Sequence, residues 1–304
     1  MRIRILFFLT SLFLISCSGA GKKEDERSKK YVQFVKPVDR QAEVEASLTC
    51  PKTEKQYLDK DWKKLMVMAN DCVQEGKWTT LKDLSDHMFE KDPYSPWGAY
   101  YQSLYSENKK DYLRSLWMIE SAIKKTPNMA LFSFQKGRVL WELKDYRQSA
   151  SAFETTLKLD NGFVAAHSFL GQILVRDHQY KKAIPHLKVA LEHKNFASHA
   201  LYGLGESYFM TGDYTEALKY FNRSTSFFAK DLRVQLRIAH IYENVLGDKK
   251  QALVTYKKIS RLNEARRESL LKNDIKMKID TLNKLIEQEK QRKLSSTKSS
   301  ESEG

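Results

Sequence analysis

Proline and glycine are scarce, 6 and 12 among 304 residues. An all-β fold of this length needs a turn every few residues, and these two residues supply most tight turns, so that class is excluded. Long apolar runs are also nearly absent. The one run, residues 5–15, is too short to cross a bilayer core of about 30 Å as a helix, and charge interrupts the rest, which excludes a polytopic membrane protein. The chain lacks HExxH, a Gly-rich phosphate loop, a GxSxG elbow, and a Ser or Cys nucleophile with a recognisable base. No enzyme activity, cofactor or metal is therefore expected. His186, His193 and His199 lie near one another in sequence, but no carboxylate bracket or cysteine pair joins them, and they read as surface histidines.

What is present suits a helical globular chain: 41% hydrophobic, 30% charged and 12% aromatic residues. The net charge of +14 is spread along the whole sequence. That distribution reads as solvated helical faces, and with no finger, homeodomain or RNA-recognition signature it excludes nucleic acid as the expected partner.

Arg2 and Arg4 precede the apolar run, and Ser16, Cys17, Ser18, Gly19 and Ala20 follow it. This is the layout of a secretory signal. Leu14, Ile15, Ser16 and Cys17 resemble the lipobox of bacterial lipoproteins, which implies cleavage after residue 16, acyl chains on Cys17 and a mature protein held on a membrane without crossing it. Ordinary cleavage after Ala20 is the competing reading. Ser18 beside the cysteine resembles the sorting signal for the outer membrane, so the expected address is the cell envelope, lipid-anchored and facing the periplasm. Residues 17–61, rich in Lys and Glu, read as anchor and flexible tether, with one apolar patch at residues 31–38.

The middle of the chain is periodic. Trp78, Tyr112, Tyr146, Tyr180 and Tyr214 stand 34 residues apart, and nine positions before each comes a small residue: Ala69, Ser103, Gly137, Gly171 and Gly205. Ala239 continues the small series. A unit of this length is a helix pair that cannot bury its apolar face alone, so neighbours must stack. Leu201, Leu204, Gly205, Tyr208, Ala217 and Phe221 resemble the tetratricopeptide repeat, with Leu in place of its Trp. The resemblance implies an all-α solenoid of about six helix hairpins over residues 62–266. In the last repeat one extra residue precedes Gly247, and Lys249 replaces the aromatic. Asp111, Asp145 and Asp213 are placed to cap the second helices. Pro185 falls inside one of them, where it removes a hydrogen bond.

Residues 267–294 carry Leu271, Ile275, Ile279, Leu282 and Ile286 on one stripe and read as a capping helix. Residues 295–304 read as a disordered tail. Cys50 and Cys72 are either buried thiols or a disulfide.

The expected function is that of a scaffold binding envelope proteins or peptide segments in a concave groove. Trp97, Tyr100, Leu131, Phe134, Arg138, Trp141, Tyr202, Glu206 and Phe209 are its expected lining, because Trp and Tyr dominate binding hot spots. Arg138, Glu206 and His240 would set the polar register. Similar lipoproteins serve secretin and pilus assembly, outer-membrane assembly or peptidoglycan machinery. The alternative is an envelope enzyme or metal-binding protein with an unrecognised site.

Overall fold

The computed structural model describes residues 49–227, 231–266 and 272–301. The signal segment, Cys17 and the apolar patch at 31–38 lie outside them. Among the described residues the fold is an all-α solenoid of 13 α-helices without strands. The chain divides into two compact units, Met1–Pro127 and Asn128–Gly304.

The first unit contains α1 (Trp62–Glu75), α2 (Trp78–Lys91), α3 (Pro96–Asn108) and α4 (Tyr112–Lys125). The second contains α5 (Ala130–Glu142), α6 (Tyr146–Leu159), α7 (Val164–Arg176), α8 (Tyr180–Leu191), α9 (Ala197–Met210), α10 (Tyr214–Ser224), α11 (Leu232–His240), α12 (Lys249–Arg266) and α13 (Lys272–Glu301). Each periodic aromatic opens the second helix of its pair. Asp111, Asp145 and Asp213 accept hydrogen bonds from the backbone N–H groups of Arg114, Gln148 and Glu216 at 3.1, 3.0 and 3.2 Å, satisfying donors that the first turn leaves free.

Two residues before each of these helices the chain turns through the left-handed region. Gly76, Gly212 and Gly247 do so with φ of 71°, 85° and 64°, and Lys110, Lys144 and His178 with 63°, 64° and 58°. The turn ends the first helix and reverses the chain whether or not glycine is available for it.

Where the two helices cross, the small residue admits a large one from its partner. An added Cβ at Gly137, Gly171 or Gly205 would stand only 2.7, 2.7 or 2.6 Å from Phe153, Leu187 or Phe221. In the second repeat, Ser103 meets Ser115 hydroxyl to hydroxyl at 2.9 Å instead. Helix α8 does not start late at Pro185 but runs through it, leaving the Lys181 carbonyl without its helical donor.

Two expected boundaries change, and the last repeat's irregularities find their place. The folded part begins before Trp62: Cys50 and Tyr57 are buried, Cys50 N–H donates to Asp71 at 2.7 Å, and Cys50 is disulfide-bonded to Cys72 with Cα atoms 4.7 Å apart. The extra residue of the last repeat is absorbed in a π-helical turn, Ile241–Val245, which keeps Ala239 and α12 in register. Lys249, in the aromatic's place, pairs with Glu289 of α13. Helix α13 covers the array's end with Ile275 and Leu282 buried beside Ala252, Tyr256 and Ile259. It continues to Glu301, through residues expected to form a tail, because no proline or glycine interrupts propagation there.

Candidate functional site

In the second unit the first helices of successive pairs form one layer. Trp141 and Phe134 of α5 reach Phe169 of α7, α7 lies beside α9, and Glu206 of α9 is tied to Arg237 of α11. Six of the expected lining residues belong to this unit beyond Leu131, and they separate into two groups.

Phe134 and Arg138 are interior, only 1% and 4% exposed. The Phe134 ring meets Phe163 at 4.6 Å, Phe153 at 5.6 Å and Phe169 at 6.0 Å between centroids. Arg138 donates to the Gln135 side chain at 3.1 Å and lies over Phe134. These two residues build core, which corrects their expected place in an open groove. Phe163 and Phe169, unremarked in the sequence, fill the space between the helices.

Trp141, Tyr202, Glu206 and Phe209 remain half-buried, as does Leu131. Trp141 is held edge-on by Tyr146 and Phe169 at 5.3 and 5.4 Å. On α9 and α11 the rings are interleaved with cations. The Arg237 guanidinium makes two hydrogen bonds to Glu206, at 2.6 and 3.1 Å, and lies 4.5 Å from the Phe209 centroid. Arg233 lies 5.6 Å from the Tyr202 centroid, and His240 5.5 Å from Phe209. Burial, reinforced by the Glu206 charge, raises the Tyr202 hydroxyl above its ordinary pKa and keeps it a proton donor. Glu206 is thus engaged by Arg237, and Arg233 is likewise paired, with Asp231 at 2.8 Å. Neither arginine was among the expected lining residues.

In the first unit, Trp97 is half-buried while Tyr100, 1% exposed, packs edge-on between Trp97 and Tyr101 at 5.9 and 5.1 Å. Tyr100 is core as well. Its neighbour Tyr101 donates to the Asn70 side chain at 3.0 Å and so ties α3 to α1.

Residues 134–198 and 174–231 match the sequence profile described as a tetratricopeptide repeat. Residues 134–231 of the chain are tetratricopeptide repeats. A curated relative, Superkiller protein 3 of Schizosaccharomyces pombe, is 33% identical over 121 residues, which are 39% of this chain and 9% of that protein. The chain therefore spans only a small part of that relative. Among solved structures, YrrB, described as "a TPR protein with an unusual peptide-binding site", matches with a TM-score of 0.56 and 19% identity over 64% of this chain and 97% of that one. The "MamA RS-1 ArsTM double mutant" matches with a TM-score of 0.51 and 20% identity over 57% and 97%. At these identities the likeness is one of fold.

Behind the layer, toward the second helices, a cleft of about 660 Å³ is lined by Glu154, Lys158, Leu170, Leu174, Lys182 and His186. It lies apart from the exposed rings. His186 is not grouped with His193 and His199; among the described residues no three His, Cys, Asp or Glu side chains are placed to hold a metal ion. His186 instead meets His167, with Nδ1 atoms 2.8 Å apart. The His167 Nε2 lies 3.0 Å from the Asn161 carbonyl, which can only accept, so that nitrogen carries the proton and His167 Nδ1 is the acceptor. One proton joins the rings, donated by His186.

Burial, then the neighbouring His167, holds His186 below its ordinary pKa. The folded state binds the additional proton that would charge His186 less readily than the unfolded chain, so the pair's contribution is complete above about pH 6.5 and is lost as pH falls below it. The melting temperature is expected to drop between pH 7.5 and 5.5, and His186→Gln, whose amide can still donate to His167, should flatten that drop. Identical pH profiles for the two proteins would exclude the histidine pair as the cause.

Proposed function

We propose that this chain is a lipid-anchored scaffold of the bacterial envelope that holds an apolar or amphipathic segment of a partner protein. Tetratricopeptide-repeat proteins bind peptides and proteins, and the single observation carrying the reading here is the half-exposed set Trp141, Tyr202 and Phe209 on one layer of first helices. Large rings left partly bare on a repeat array are affinity anchors. The envelope address is supported by the lipobox-like Leu14, Ile15, Ser16 and Cys17, and by the Cys50–Cys72 disulfide, since such bonds persist in oxidising compartments. Anchored at Cys17, the scaffold serves assembly of an envelope complex of the secretin, outer-membrane or peptidoglycan type.

The test is a pull-down from detergent-solubilised membranes, followed by titration of the recovered partner against the purified chain. Trp141→Ala and Tyr202→Ala are each expected to weaken binding by about 1–3 kcal/mol. If both variants keep the wild-type helical spectrum and bind the partner at undiminished affinity, the layer of first helices is not the binding face.

A further inference from the structure

The repeats provide an internal control for their own surface. One and five positions after each helix-opening residue, the second helices carry Thr79 and Asp83, Arg147 and Ser151, Lys181 and Pro185, Thr215 and Lys219, and Lys250 and Val254. In α4 the same two positions are Leu113 and Trp117, 73% and 66% exposed. Four residues apart, they share one helix face. Apart from Pro185 and the smaller Val254, itself 61% exposed, the other repeats carry polar residues there, so an exposed Leu–Trp pair is not required by the fold.

The charges around this pair are mainly of one sign. Lys109 and Lys110 in the turn before α4, Arg114 beside Leu113, and Lys124 one residue short of the helix end are all exposed. Among the acids nearby, Asp111 is occupied as the helix cap, and Glu120 is half-buried. At the far end of α4, Lys125 bonds the carbonyls of Pro93 and Ser95, which flank the exposed Tyr94. A tryptophan and a leucine ringed by lysine and arginine form the pattern that seats a helix in the headgroup region of an anionic bilayer: rings at the interface, cations on the lipid phosphates.

We propose that the α4 face formed by Leu113 and Trp117, with Lys109, Lys110, Arg114 and Lys124 around it, docks on an anionic lipid surface. This contact is separate from the partner-binding layer of the second unit and needs no acyl chain of its own. On a chain tethered at Cys17 it would lay the first unit against the membrane.

The test uses the full chain reconstituted into vesicles of phosphatidylglycerol, or of phosphatidylcholine, with brominated acyl chains that quench tryptophan on contact. Tryptophan emission is expected to be quenched more in the anionic vesicles, with the excess suppressed by raised salt. Trp117→Phe should lose most of that excess, and Lys110→Gln/Arg114→Gln should reduce it. Trp141→Ala/Tyr202→Ala, which disables the partner-binding layer, should retain it, so the two readings can fail independently. Equal quenching of wild type and Trp117→Phe, or quenching indifferent to lipid charge, would overturn the proposal. So would a Leu113→Ser/Trp117→Ser variant that loses an envelope protein from the pull-down while excess quenching persists, since the face would then bind protein.

Discussion

Gly205→Ala is expected to destabilise the second unit by about 1–3 kcal/mol, the usual cost of forcing extra volume into a packed core. The sign is what makes the experiment informative. In an unconstrained helix interior the same change gains about 1 kcal/mol, because alanine is the better helix former. Here the new methyl would arrive 2.6 Å from the Phe221 ring, which is fully buried. Gly137→Ala should behave alike, since its methyl would arrive 2.7 Å from Phe153. Urea unfolding of Gly205→Ala, Phe221→Leu and the double variant supplies the check. If ring and methyl collide, the double variant is more stable than the two single losses added together. Net stabilisation by Gly205→Ala would mean that the helices separate easily and that the crossing is not what fixes the repeat.

The other large effect is expected at the start of the folded chain. Cys50 and Cys72 are 22 residues apart, and closing a loop of that size restricts the unfolded chain by about 3 kcal/mol. Cys50→Ser/Cys72→Ala should therefore lose about that much stability. The loss should concentrate in α1 and α2, because repeat units couple mainly to their neighbours. Hydrogen exchange would show it as faster exchange in those helices, with α9 to α12 unchanged. Uniform loss across all helices would indicate that the array unfolds as one block.

The frame of the fold could be read from sequence because its two determinants are both visible there. A small residue and an aromatic, nine positions apart and repeated every 34, specify where helices cross and where each second helix starts. The face was harder to read. Phe134 and Phe209 look equivalent, each a large ring on a first helix. Yet Phe134 is enclosed by Phe153, Phe163 and Phe169, whereas Phe209 is bordered by Arg237 and His240 and stays half-exposed. What decides between core and surface is the size of residues contributed by other helices, and one helix's periodicity holds no record of that. The histidine pair was hidden for the same reason: His167 and His186 come from different helices, and the eye groups His186 with the histidines that follow it.

Three of the left-handed turns have a consequence for how the array can be tuned. Lys110, Lys144 and His178 hold a backbone conformation that a side chain disfavours by roughly 1–2 kcal/mol, at sites where Gly76, Gly212 and Gly247 hold it freely. Each of the three is an unspent increment of rigidity at a hinge between paired helices. Because coupling reaches only the adjoining pair, such increments act like separate screws along a rail. An array of this kind can be stiffened under one stretch of a bound segment and left pliant under the next, without touching a residue that meets the ligand.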